Sequence, residues 1–202
     1  MRAERAASRE FDSRPGLMLT KEQERRIEEF CKNFYRQQDF AHNRRHMKKT
    51  IRLAEFIGRE EGANLRLIEI GARVHQFHDD IGTLEQFLEV LKVDAETASK
   101  LLECASFRPH RNIPPEEVSL EAKVVYDADV LQSLGPHGTL REVASLIEKK
   151  GLDDSVEETR DEQTAFHEFL QTKTAKKIVK SPHKLMQEFW EVYDAWESDK
   201  FD

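Results

Sequence analysis

The sequence is poor in the features that mark exported, membrane-bound or duplex-binding chains. Only two of its 202 residues are cysteine, Cys31 and Cys104. Both lie inside apolar helical patterns without paired or zinc-type spacing, so they read as reduced core residues of a cytoplasmic protein, not as a disulfide framework. No apolar run has the length a bilayer span needs, and hydrophobic residues make up 38% of the chain against 35% charged. A membrane partner is therefore not expected. The opening stretch MRAERAASREFDSRPG mixes both charge signs and has no apolar core, so 1–18 is read as a polar tail ahead of a single domain over 19–202. A sustained basic stripe is missing as well, and the net charge of −7 argues against a duplex nucleic-acid binder.

Strand-like alternation is almost absent, whereas apolar residues recur at helical spacing nearly everywhere. That pattern predicts an all-α bundle of seven to eight helices. Thr20 with Gln23 forms a capping box for a first helix over about 20–38, and a second runs from about 43 to 61. Asn64 caps a third over about 64–79, and Asp94 caps another over about 95–106. Further helices are expected at about 119–134, 138–149, 157–179 and 182–198. The prolines of the stretch 108–115 forbid regular helix and predict a loop.

Several side chains of metal-ligating type fall near helix ends. His46 shares a row with Thr50, Leu53, Ala54 and Ile57, so it faces inward. The third helix carries Ile68, Ala72, His75 and Asp79 in one row, and Gly71, Val74 and His78 in the next. The pair His78-Asp79 can turn toward one ion only at a helix end, because adjacent helical residues point about 100° apart. Asp127 and Asp129 point about 200° apart, so one ion does not take both. Imidazoles mixed with carboxylates suit Mn²⁺, Fe²⁺, Co²⁺, Ni²⁺ or Zn²⁺ better than Mg²⁺.

The stretch Asp39-Phe-Ala-His-Asn-Arg-Arg-His46, the centre Phe77-His78-Asp79, and the run from Glu121 through Asp127-Ala-Asp129 to Gly135 resemble the HD-domain metal-dependent phosphohydrolase superfamily, in its small stand-alone bacterial branch. The resemblance spans about 20–198. It implies one divalent transition metal ion held by His46, His78, Asp79 and Asp129, and hydrolysis of a nucleotide or other small phosphate ester or anhydride by metal-activated water. Asp80 and Glu85 are the nearest acids for proton relay, and Lys49, Lys123, His42 and His110 are candidates for substrate contact. Arg44, Arg45, Lys48 and Lys49 form a basic cluster around His46, a pattern that either meets phosphate or forms a solvated helix face. Ala105 stands where such proteins frequently have His, which argues for a mononuclear centre or an altered substrate. Two rival readings remain: a dinuclear iron oxygenase recruiting His42, His75 or His110, and a catalytically degenerate regulatory module. His75 itself reads as a satisfied core histidine.

Overall fold

Side-chain caps set where the helices begin. In the computed structural model, which describes residues 19–109 and 115–198, Thr20 and Gln23 close a capping box at the head of α1 (Lys21–Tyr35). Asn43 accepts from the Arg45 N–H to open α2 (Arg44–Glu61), and Asn64 accepts from Arg66 and Leu67 to open α3 (Leu65–Val74). A 3-10 turn (His75–Asp79) then leads into α4 (Ile81–Val90). Asp94 caps α5 (Ala95–Ser106) and Ser119 caps α6 (Leu120–Val130). The chain continues through α7 (Gly135–Lys150), α8 (Leu152–Glu168), α9 (Lys173–Ile178) and α10 (Lys180–Glu197). No strand occurs among the described residues, and none of their helices is long and apolar enough to cross a membrane. The expected tail over 1–18 and His110 lie outside the described residues.

Helices α2, α3, α5 and α6 pack on one another as the centre of the fold. Gly71 permits the closest approach within it: a Cβ there would lie 2.6 Å from the Cys104 Sγ, so any larger residue would push α3 off α5. On one side of this centre, Ala54, Ile57, Ile68, Val124, Val125 and Leu170 form one apolar cluster. On the other, Ile27, Val74, Phe77, Leu84 and Leu101 form a second, in which the Phe30 ring stacks on Phe87 and Phe77. The site described below sits where α2, α3 and α6 meet.

The described residues hold ten helices rather than the seven to eight expected. One cause is local and polar. The single helix expected over 157–179 is interrupted because the buried Asp127 carboxylate takes the backbone N–H groups of Gln171 and Thr172 and the Thr172 hydroxyl, at 2.7–2.8 Å. Thr172 meanwhile caps α9 through the Ala175 N–H. Burial pushes the Asp127 carboxyl up to about 6 against the pull of these donors. Thr172→Ala removes the cap and one of the donors to the buried acid. It is expected to lower stability by about 1–3 kcal/mol in urea denaturation, with metal uptake unchanged.

Candidate metal centre

Three side chains from three separate elements converge. His46 from α2, His75 from the 3-10 turn and Asp129 from α6 form the one group of His, Cys, Asp or Glu among the described residues whose donor atoms all lie within 4.8 Å of one another. The His46 Nε2 is 3.0 Å from the Asp129 Oδ1 and 3.1 Å from the His75 Nε2, and the His75 Nε2 is 3.5 Å from the same carboxylate oxygen. A cation bonded at about 2.1 Å to three such donors would hold them roughly 3.0–3.4 Å apart, so the donor set fits a divalent ion with little rearrangement. The Gln76 carboxamide closes the group, its Nε2 2.9 Å from the His75 Nε2 and 3.3 Å from the His46 Nε2.

Second contacts aim these donors. The His75 Nδ1–H donates to the Ala72 carbonyl at 2.7 Å, one of the carbonyls that the end of α3 leaves without a helical partner. Its Nε2 lone pair therefore faces the group, and the Tyr35 hydroxyl lies 3.4 Å behind the ring. The Arg141 guanidinium donates to the His46 Nδ1 at 2.8 Å, which leaves the His46 proton on Nε2, donated to Asp129. Arg141 is itself held by Ser133 and Glu142. It reaches this far because Gly138 lets the first turn of α7 lie on the Ser133 backbone, where a Cβ would come within 2.2 Å. Burial alone would raise the Asp129 carboxyl, but the flanking imidazoles of His75 and His46 outweigh it and hold the group well below the usual carboxylate range. Burial lowers the His46 imidazole, a shift that Asp129 opposes.

The mouth of the site is cationic. The Lys49 Nζ lies 2.7 Å from the His137 Nε2 on α7. Burial lowers the lysine, and the neighbouring charges of Arg45 and Arg141 add to that shift. His137 is lowered by burial and then by Lys49 and Arg141. Lys49, donating to the imidazole of His137, and Arg141 are thus the charges at the mouth, and such a pair of neighbouring cations is a receptor for an anion.

Of the residues singled out from the sequence, the structure brings His46 and Asp129 together and leaves His78 and Asp79 outside the group. The third helix stops at Val74 instead of running to 79, and in the 3-10 turn residues three apart eclipse, so His78 falls about 6 Å beyond His75 along the axis. The His78 Nε2 pairs with the Asp79 Oδ2 at 3.2 Å, and the Asp79 side chain is 81% exposed. Asp80 and Glu85 are exposed and take no part in the group. Lys123 lies about 9 Å back along α6 from Asp129. The His42 Nδ1 contacts the Asp39 Oδ1 at 2.9 Å, and its ring centroid lies 6.2 Å from that of His46. From sequence, His75 reads as a satisfied core histidine and as a ligand only under the dinuclear alternative; Gln76, His137 and Arg141 were not singled out. The signal for His75 was its place in the inward row Ile68–Ala72–His75; nothing in the sequence pointed to Arg141.

No family model matches the chain. Over 172 residues it is 28% identical to the uncharacterized protein YpgQ of Bacillus subtilis, covering 74% of this chain and 81% of that one. The crystal structure of YpgQ in complex with ADP superposes with a TM-score of 0.67 at 21% identity over 86% of this chain and 94% of its own. A Lactobacillus plantarum protein gives 0.76 at 21% identity, over 90% of this chain and 100% of that one. A Bacillus thuringiensis protein described as an HD-superfamily hydrolase gives 0.68 at 23%, over 88% and 97%. The chain shares the all-α fold of these bacterial proteins.

The geometry orders the candidate ligands by experiment. In metal analysis of purified protein loaded with Mn²⁺ or Co²⁺, His75→Ala and Asp129→Asn are expected to lower bound metal at least tenfold. His78→Ala is expected to cost much less. A greater loss from His78→Ala than from His75→Ala would move the ion to the His78-Asp79 pair.

Proposed function

We propose that this chain is a metal-dependent phosphohydrolase acting on a nucleotide or another small phosphate ester or anhydride. The observation that carries the reading is the convergence of His46, His75 and Asp129 at 3.0–3.5 Å beside the cationic mouth formed by Lys49 and Arg141. The ADP bound by YpgQ and the hydrolase description of the Bacillus thuringiensis protein support the same class of substrate and reaction.

In this reading His46, His75 and Asp129 hold one divalent cation, with the Gln76 carboxamide as a further donor. When bound, that cation polarises a phosphoryl oxygen and makes water a better nucleophile near neutral pH. The chain does the rest by position and charge. Lys49 and Arg141 bind the non-bridging oxygens and keep the phosphorus in line with the centre. Arg141 exchanges its bond to the His46 Nδ1 for one to phosphate. His78, whose imidazole is lowered by burial and by Arg108, sits with its Nε2 against the Asp79 carboxylate, and this pair would take up the proton released by the attacking water. Asp80 and Glu85, exposed at the start of α4, would pass the proton to solvent.

One observation favours a second reading. The residue beside the converging His75 is the neutral Gln76, and the Asp79 carboxylate lies outside the group, so the group holds one carboxylate and not two. A site with less negative charge binds a cation more weakly, as a regulatory or binding module would tolerate. Turnover decides between the two. Manganese- or cobalt-loaded protein is expected to release phosphate or pyrophosphate from at least one member of a nucleotide and phosphoester panel. Arg141→Gln is expected to raise KM about tenfold or more with a smaller change in kcat. Tight metal and ADP binding without release from any substrate would favour the module.

A further inference from the structure

A second cationic cleft lies on the opposite side of α2 from the candidate centre. Arg44, Lys48 and Arg52 recur every four residues and form one stripe along that helix. His46 points about 160° away from the middle of this stripe, so the two surfaces are separate. The stripe forms one wall of a cleft of about 460 Å³, with Lys32 of α1 and Arg73 of α3 on the facing walls. Met47 and Ile51 provide an apolar floor. A single carboxylate, Glu28, lines it against five cations.

The charges are not balanced within the protein. Glu28 is engaged by Lys32 at 2.9 Å, and Arg73 is held by Glu69 at 2.6 Å. Among the described residues, Arg44, Lys48 and Arg52 have no carboxylate within 4.0 Å. Like charges four apart on a helix oppose folding, and here they are concentrated in a chain whose net charge is −7. The volume lies in the range of small-molecule clefts and is far too small for a duplex. Three long, flexible cationic side chains rooted about 6 Å apart can converge on the oxygens of a small polyphosphate, and guanidinium groups match its oxygens in pairs. Cys31 at the base offers no thiolate, since burial pushes its thiol up to about 12.

We propose that this cleft is a second anion site, distinct from the hydrolytic one, which binds the polyphosphate moiety of a small molecule such as a nucleoside di- or triphosphate through Arg44, Lys48 and Arg52. Binding there needs no metal. Occupancy can therefore be read on metal-free protein, independently of turnover.

The test is calorimetric titration of full-length, EDTA-treated protein with inorganic tripolyphosphate. Wild type is expected to bind, and R44Q/K48Q/R52Q is expected to weaken binding at least tenfold. K49Q/R141Q, which alters the mouth of the other site, is expected to change it less than threefold. The three stripe residues are exposed, so the triple variant should keep the wild-type far-ultraviolet circular dichroism; the single Lys48→Glu, expected to weaken binding about fivefold, repeats the test if it does not. Absence of binding by wild type overturns the proposal. So does binding that survives the stripe variants, or that is lost equally in K49Q/R141Q.

Discussion

The structure depends on one arrangement: a carboxylate sunk between two imidazoles at the meeting point of three elements. Asp129 cannot be left alone in that position, because an unpaired buried charge costs several kcal/mol. The His46 Nε2–H answers it in the structure described here, and a cation would answer it better, since all three donors could then turn their lone pairs inward. The packing of α2, α3 and α6 and the break at Val74 place these donor atoms within 3.5 Å of each other. Removing the carboxylate would leave the two imidazoles without the group that orients them.

Around this centre the helix ends divide the work. The carbonyl that α3 leaves open at Ala72 fixes the tautomer of His75. The neighbouring acid on α6, Asp127, faces the other way and ties down the backbone ahead of α9. Two carboxylates two residues apart on one helix therefore serve separate ends, one facing the candidate site and one holding the C-terminal helices in place. The roughly 200° between their directions makes this separation unavoidable.

Fold class was legible because it rests on periodicity, which a single sequence displays directly. The starts of α1, α2, α3 and α5 were legible because Thr20, Asn43, Asn64 and Asp94 are short polar residues placed ahead of apolar stripes, and each accepts a backbone N–H in the structure. Helix ends were harder to read. Nothing in Val74-His75-Gln76 signals a stop by composition; the change to a 3-10 turn comes with the His75 side chain's bond to Ala72 and with packing against Tyr35. That change of a few residues decides which histidine meets His46. His46 and Asp129 could be picked out from inward rows and motif strings, whereas Arg141 arrives through a tertiary approach permitted by Gly138, which no local pattern encodes.

The most direct measurement is anomalous diffraction from crystals of the protein grown with Mn²⁺ or Co²⁺, recorded at the metal edge. The account predicts one strong peak about 2.0–2.3 Å from the His46 Nε2, the His75 Nε2 and the Asp129 Oδ1. A peak on the His78-Asp79 pair with His75 unliganded, or no peak between α2, α3 and α6 at saturating metal, would contradict it.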